Sequence, residues 1–226
     1  MKNKTTENNC IELKPVKIVK TVIEIVGDSP LIVHAWSEKA KRMMLEAQQK
    51  TAKAKKAREV RDPFSEFIDS MYWLDGKPKD YTEKAFQKAV KDGARFGFPI
   101  SAIKQAAISA AYRSGSTKDK MSMRGIFFLN GIDNNELATI QFDDINMRED
   151  MVRIGMGSAD LRYRAEFTNW RAKLVLIYND NGVFTLEQII NAINLGGFMC
   201  GIGEWRPEKD GQYGMYHVNV EGRKND

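Results

Sequence analysis

Residues 161–179, LRYRAEFTNWRAKLVLIYN, carry the clearest secondary-structure signal in the chain and decide its fold class. In residues 161–167 apolar and charged side chains alternate, which is the period of two of a half-buried strand. Residues 171–179 have the composition of a second strand, and we expect the two segments to be antiparallel neighbours. The stretch therefore predicts an antiparallel sheet.

Outward from this stretch, strand and helix patterns alternate. Strand patterns recur at residues 16–27, 125–131, 137–142 and 215–220. Apolar side chains at helical spacing predict helices at 64–71, 82–90, 102–113 and 185–195. Paired strands separated by helices indicate the α+β class, here an RRM/ferredoxin-like antiparallel sheet (βαββαβ) with helices on one face and inserted helical and loop segments. We expect a disordered tail over 1–14 and a single domain over 15–226.

The composition narrows the functional classes. The chain has 226 residues, enough for a sizeable core, and a net charge of +5, a mild indication of a polyanionic partner. Cys10 and Cys200 form no metal-binding spacing, so we expect no metal site and no disulfide framework. Without a signal-peptide core or a bilayer-length apolar run, we expect a cytoplasmic protein with no membrane partner. No phosphate-loop or nucleophile motif occurs, and we expect no cofactor and no catalytic residues.

Positive charge is concentrated in residues 38–61, a segment rich in good helix formers. Nine Lys and Arg stand against three Glu there, a local balance of about +6. The second half has no apolar stripe, so we expect a basic helical arm that contacts phosphates without reading sequence. The alternative is a soluble surface helix. The predicted contacts are Lys50, Lys53, Lys55, Lys56, Arg58 and Arg61.

Glycines crowd the C-terminal part, around GIGEWRPEKDGQYGMYHV at residues 201–218. Glycines let a backbone approach a ligand closely, and exposed N–H groups can cradle an anion. Trp205 offers a stacking face and Arg206 a bidentate phosphate contact, so the segment favours a nucleic-acid strand. The alternative is an ordinary turn at residues 207–211 with Trp205 in the core. The glycines are Gly196, Gly197, Gly201, Gly203, Gly211 and Gly214, the first two of which we expect to end the preceding helix.

These features resemble the RAMP superfamily, the RRM-like RNA-binding proteins of CRISPR systems, and above all the subunits that form the CRISPR effector backbone. The resemblance rests on a first strand that ends in Ser29-Pro30-Leu31, an inserted middle, and the late helix followed by GIGEWRPEK at 201–209. The chain also resembles an uncharacterised bacteriophage protein family, through SEKAKRMMLEAQQ at 37–49 and MREDMVRIGMGSADLRYRAEF at 147–167.

The resemblance implies a phage-encoded, non-catalytic protein of the host-cell cytoplasm. It would bind single-stranded RNA or DNA, with RNA preferred, and polymerise along the strand as a head-to-tail homo-oligomer. It also implies that an inserted loop at 143–158 is a thumb that kinks the strand, with Arg148 and Arg153 on phosphates. The alternative for the methionines of this loop is a contact between subunits.

A basic sheet face is a further expectation. Arg162 and Arg164 share one side of the 161–167 strand, and Arg171 and Lys173 extend that side onto the neighbouring strand. RRM-type sheets bind single strands on such a surface. The alternative is a solvated face in which Glu166 pairs with these arginines.

Three other functions stay open at this point. The protein can inhibit a host CRISPR effector complex by mimicking or capping its backbone subunit. It can anneal complementary single strands. It can also be a metal-independent endoribonuclease that uses His34 or His217, the only two histidines, as general acid or base.

Overall fold

The computed structural model describes residues 14–36, 38–49, 61–133, 136–154 and 157–219. The strands are β1 Ile18–Gly27, β2 Leu31–Val33, β3 Tyr72–Trp73, β4 Phe96–Pro99, β5 Phe127–Gly131, β6 Leu137–Gln141, β7 Asp144–Ile154, β8 Ser158–Thr168, β9 Arg171–Asn179 and β10 Tyr216–Asn219. The helices are α1 Glu38–Gln48, α2 Pro63–Asp69, α3 Glu83–Lys91, α4 Ile100–Arg113, α5 Lys120–Arg124 and α6 Leu186–Met199, with a short 3-10 turn at Pro207–Lys209. Outside the described residues lie the predicted tail up to residue 13 and five predicted contacts of the basic arm: Lys50, Lys53, Lys55, Lys56 and Arg58.

Seven strands form one antiparallel sheet, the main sheet. Its strand order is β10–β1–β9–β6–β4–β3, and β5 also pairs with β9. β1 and β9 pair along their whole common length, from Ile18 opposite Asn179 to Val26 opposite Arg171. β5 and β6, which are joined by a short polar connection, follow one another along the same edge of β9. The antiparallel sheet and the α+β class are confirmed.

A second sheet, β2–β8–β7, contains a long hairpin. β7 and β8 pair from Asp144 opposite Thr168 to Ile154 opposite Ser158. The predicted loop at 143–158 is therefore wrong, since most of that segment is strand β7. Its many charges hid the strand pattern. In the hairpin, Asp150 lies opposite Arg162, and it also contacts Arg148 and Arg164, which lie opposite each other, so it offsets their repulsion.

The chain changes sheets between β8 and β9, so the prediction that 161–167 and 171–179 are neighbours in one sheet is wrong. Asn169 has a left-handed backbone with φ of 47°. Trp170 follows it, is 2% exposed, and donates from Nε1 to the Ser29 carbonyl at 2.8 Å. Gly27 leaves room for the ring, because a Cβ there would lie 2.2 Å from Nε1 of Trp170. Burial of this large ring directs the chain from the second sheet into the main sheet.

Two helices, α4 and α6, pack against each other and cover one side of the main sheet. Their contact is close, because a Cβ at Gly196 of α6 would lie 2.6 Å from the backbone nitrogen of Ala107 in α4. Gly197 approaches β10 in the same way, since a Cβ there would lie 1.8 Å from the Tyr216 carbonyl oxygen. The prediction that these two glycines end the helix is wrong: α6 continues beyond them, and they are packing residues inside it.

The core joins the two sheets. Buried side chains of the main sheet pack on α4 and α6, and the cluster continues to α2 and α3. Phe96 of β4 and Phe167 of β8 link its two parts, with ring centroids 5.6 Å apart. The outer side of the main sheet therefore sits on a rigid scaffold.

Candidate nucleic-acid interface

β9 separates the core from an outer, accessible side of the main sheet. Its residues alternate between the two sides: Leu174 and Leu176 are fully buried, while Arg171 and Lys173 are exposed on the opposite side. Successive side chains of a strand point to opposite faces, which produces this division.

The strand register aligns the outer side chains in rows, and we call this surface the open face. Side chains directly opposite in neighbouring strands lie about 5 Å apart, so the rows form a continuous surface. They combine apolar, amide and charged groups. The rows are Phe128–Ile177–Lys20, Asn130–Val175–Val22, Lys173–Glu24–Asn219 and Gln141–Arg171–Val26–His217.

The open face carries three cations that form no ion pair within the described part of the chain. There, no carboxylate forms an ion pair with Lys20, Arg171 or Lys173. Arg171 donates from Nε to the neutral amide oxygen of Gln141 at 2.9 Å. Glu24, the one acid in the rows, accepts a hydrogen bond from an amide instead. Such cations can meet the phosphates of a ligand without first breaking an ion pair.

Phe128 supplies an exposed aromatic ring to the open face. Its side chain is 52% exposed, and Val22, two strands away in the next row of the open face, is 60% exposed. Lys104 of α4 places Nζ 4.2 Å from the ring centroid, and burial lowers the pKa of this lysine. An accessible ring among cations is a surface on which the bases of a single strand stack.

The predicted arginines of β7 and β8 lie in a different place, a charge cluster between the hairpin and the glycine-rich segment. Arg148 donates from Nε to Asp150 at 2.7 Å and from Nη1 to Glu166 at 3.0 Å. Arg164 donates from Nη1 to Asp150 at 3.2 Å, and its side chain is 7% exposed. The prediction that Arg164 forms a basic stripe with β9 is wrong, because its guanidinium is buried and paired.

Arg61 and Arg162 are paired as well, and both contact Asp160. Arg61 also donates two hydrogen bonds of 2.6 Å to Glu66, and these two carboxylates raise its pKa, Glu66 most strongly. These contacts tie the end of the arm segment to β8. Arg153 is exposed towards the hairpin tip and has no ion-pair partner among the described residues.

The glycine-rich segment packs on itself and on the chain around β2. The Ile202 N–H donates to the Gly214 carbonyl at 2.9 Å, and the Gly214 N–H donates to Pro30 at 2.8 Å. The Glu204 N–H donates to Ile32 at 2.9 Å. Because these N–H groups donate to backbone carbonyls of the protein itself, they cannot form the predicted anion cradle.

Close packing explains the glycines themselves. Gly201 and Gly203 have φ of 63° and 78°, a region that side chains rarely adopt. A Cβ at Gly203 would lie 2.4 Å from the Ile32 carbonyl oxygen, and one at Gly211 would lie 1.7 Å from that of Trp205. The segment needs glycine because backbone packs on backbone here.

Trp205 and Arg206 differ in availability. Trp205 is 38% exposed and has a left-handed backbone, with φ of 50°. Arg206 contacts Glu208 at 3.0 Å and donates to the Gly203 carbonyl at 2.9 Å, while Arg113 donates to Glu208 at 2.7 Å. Arg206 thus holds the turn together, and Trp205 keeps an accessible surface.

The two histidines contact different carboxylates. His34 Nδ1 lies 3.7 Å from Glu204 Oε1, and His217 Nδ1 lies 2.7 Å from Asp28 Oδ1. Over the described ranges, no three or more His, Cys, Asp or Glu side chains are grouped as metal ligands would be. These contacts bring the histidines to no common site.

Sequence reasoning found Arg171 and Lys173 but missed Phe128, Lys20 and Val22. A signal was present, because the outer side of the 16–27 strand mixes lysine with valine. Two adjacent aromatics in a strand must also point to opposite faces, so one of Phe127 and Phe128 had to face outward. The strand partners that unite these residues could not be read from the pattern.

Comparisons with known proteins give no match, so a functional interpretation of this chain rests on the arrangement of its side chains. Models of known protein families give no match to the chain, and a search of the curated proteins gives none. Of the helices in the described ranges, none has the length and apolar character that spanning a membrane requires.

Proposed function

We propose that the protein binds single-stranded nucleic acid on the open face and does so without catalysis. The observation that carries the proposal is that Lys20, Arg171 and Lys173, which lack ion-pair partners among the described residues, share one surface with the exposed ring of Phe128. Phosphates contact the cations and a base stacks on the ring. These two contacts give affinity with little sequence preference.

The strand arrangement supports an RRM-like core within this proposal. Four strands of the main sheet lie side by side in the order β10–β1–β9–β5, and each neighbouring pair is antiparallel. Numbered along the chain as core strands one to four (β1, β5, β9, β10), this is the order 4-1-3-2. α4 precedes the second core strand and α6 precedes the fourth, which is the βαββαβ order. RRM-type sheets bind single strands on the side away from the helices, and the open face is that side.

Assembly along the strand is part of the proposal. The β7–β8 hairpin exposes Met147, Met151 and Leu161 by 43%, 68% and 41%. Clustered apolar side chains in solvent favour contact with another protein surface. A second copy of the protein can cover the hairpin of the first and bind the next stretch of the same nucleic-acid strand. Repetition of this contact produces a head-to-tail homo-oligomer.

The experiment is fluorescence anisotropy with labelled oligouridine and oligothymidine across a salt series. We expect binding at low salt that weakens as salt rises, with a slope that decreases by about 0.7 for each lost phosphate contact. Lys20→Ala and Lys173→Ala should each reduce the slope by that amount. Lys84→Ala is the matched control, because Lys84 is an exposed lysine on α3 and should not change the slope.

Undetectable binding of both strands at low salt would overturn the proposal, and so would equal losses in Lys84→Ala and Lys173→Ala. The other functions have their own signatures. Faster pairing of complementary strands indicates annealing on the same face. Cleavage of RNA that is lost in His34→Ala contradicts the non-catalytic part.

A further inference from the structure

A pocket of about 410 Å³ lies away from the open face, and no open-face residue lines it. Its walls come from α4, the end of β4, and the glycine-rich segment. A pocket of this size is in the range of small-molecule sites.

The principal acceptor of the pocket is the carboxylate of Glu204. His34 Nδ1 lies 3.7 Å from Oε1, and Arg164 Nη2 lies 3.6 Å from Oε2, both beyond hydrogen-bond length. His34 most strongly, with Arg164 and Arg206, lowers the pKa of Glu204, although burial opposes the shift. Among the described residues, the nearest side-chain donors to the two Glu204 oxygens are thus His34 and Arg164, each at ion-pair distance, and neither approaches as closely as an ordinary hydrogen bond.

The surrounding charges set the kind of ligand. Arg164 and Arg206 already balance the charge of Glu204. The second acid of the pocket, Glu208, is held by Arg206 and Arg113 and is not available. The pocket thus suits a ligand that donates hydrogen bonds and carries no positive charge.

The other walls suit a flat heterocycle. Tyr72 and Phe98 pack edge to face, with centroids 6.0 Å apart and ring planes at 76°. Ser101, Gln105 and Ser109 lie one helical turn apart on α4 and line the pocket, and none of them makes a side-chain hydrogen bond with another described residue. Aromatic rings and free polar groups together recognise the edge and the plane of a base.

We propose that this pocket binds a guanine base. Guanine presents two adjacent N–H donors, at N1 and N2, which match the two oxygens of one carboxylate. Its O6 accepts from the hydroxyl or amide groups of α4. Adenine and uracil place an acceptor beside their donor, so each loses one of these contacts to Glu204. The inference does not rest on strand binding at the open face.

The test is isothermal titration calorimetry of the full chain with the monophosphates of guanosine, inosine and adenosine. Inosine lacks the N2 amino group, so its monophosphate should bind about tenfold more weakly than that of guanosine, and adenosine monophosphate more weakly still. Comparable binding of guanosine and adenosine monophosphates, or no heat from either at millimolar concentration, overturns the proposal.

Two variants locate the site. Glu204→Gln replaces the carboxylate, and Ala102→Leu fills the pocket from α4 while every charged side chain of the pocket is kept. Both should lose guanosine monophosphate binding. Ala85→Leu is the matched control for Ala102→Leu, because Ala85 is also a partly buried alanine in a helix but lies outside the pocket. This variant should bind guanosine monophosphate as the wild type does. Circular dichroism checks that each variant is folded, and full binding by a folded Ala102→Leu variant excludes the site.

The base can come from a free nucleotide or from a bound strand, and oligonucleotides distinguish these sources. If a strand supplies it, guanine-containing strands bind more tightly than oligouridine, and Ala102→Leu removes only that difference. If free nucleotides supply it, the monophosphate binds and the strands show no guanine preference. Lys173→Ala should weaken oligouridine binding and leave the monophosphate unaffected, so the two proposals can fail separately.

Discussion

Arg164 and Asp150 form a buried ion pair: Nη1 of the arginine lies 3.2 Å from Oδ2 of the aspartate, and the side chains are 7% and 4% exposed. Arg148 contacts the other carboxylate oxygen at 2.7 Å. Nε of Arg164 has no hydrogen-bond partner among the described residues. One carboxylate therefore contacts two guanidinium groups in the middle of the β7–β8 hairpin, where Arg148 also contacts Glu166 and Arg164 also contacts Glu204.

We predict that Asp150→Ala destabilises the protein by about 3 kcal/mol, because among the described residues it leaves the buried guanidinium of Arg164 with only the 3.6 Å contact to Glu204. Urea unfolding measures the change. Asp133→Ala is the control, since Asp133 is 54% exposed and contacts Arg95 at 3.4 Å on the surface. Its cost should stay below about 1 kcal/mol. Similar costs for the two variants would show that the buried pair has no special role.

Glu204 should make stability depend on acid pH. Its pKa is held below the ordinary value of 4.5, chiefly by His34, so folding favours the ionised form. This contribution is fully present above pH 4.5 and is lost as pH falls through the lower folded pKa. In urea unfolding, the difference between wild type and Glu204→Gln should shrink as pH falls below 4.5. A difference that grows in acid contradicts this assignment.

Gly197→Ala should separate α6 from β10. The new Cβ would lie 1.8 Å from the Tyr216 carbonyl oxygen, which cannot move without its strand. We expect a loss of about 3 kcal/mol despite the better helix propensity of alanine. Gly125→Ala is the control, because nothing lies near its Cβ and its φ is −89°. Its unfolding free energy should change by no more than about 0.5 kcal/mol.

Phe128→Ala tests the aromatic part of the open face. Stacking on a ring contributes about 1–3 kcal/mol per base, so the variant should bind oligouridine about 5- to 150-fold more weakly. Its salt dependence should be unchanged, because no phosphate contact is removed. Tyr112→Ala on α4 is the control, as Tyr112 is 48% exposed but lies outside the open face. Unaltered affinity of the Phe128 variant would place base contacts elsewhere.

Met151→Glu tests assembly through the hairpin. Met151 is 68% exposed, so a charge there should not disturb the fold. Light scattering with an excess of long single strand should show large complexes for the wild type and smaller ones for the variant. Affinity for a short strand should be the same for both. Equal complex sizes would mean that the hairpin is not the contact between copies.

Some contacts around the candidate site join residues that are close in sequence. Oppositely charged residues two apart lie on the same side of a strand, so the spacing of Asp160 and Arg162 is compatible with the ion pair that the structure contains, although Glu166 was the partner expected for Arg162. The same spacing joins Arg148 to Asp150 and Arg206 to Glu208. The Thr185–Gln188 capping box was likewise readable, and it starts α6 as predicted. Such contacts are local, so spacing alone reveals them.

The sequence by itself determined in which segments apolar and polar side chains alternate, where α6 begins, and that the fold mixes helices with an antiparallel sheet. Periodicity and helix caps act over a few residues, so they can be recognised without the fold. Only the tertiary structure decided that β8 and β9 enter different sheets, since that depends on Trp170 finding the space beside Gly27, far away in the chain. This one buried ring separates Arg162 and Arg164 from Arg171 and Lys173. The register of β1, β5 and β9 then brings Lys20 and Phe128 onto the open face. The change of sheet and this register both depend on burial and strand pairing between segments that are distant in sequence.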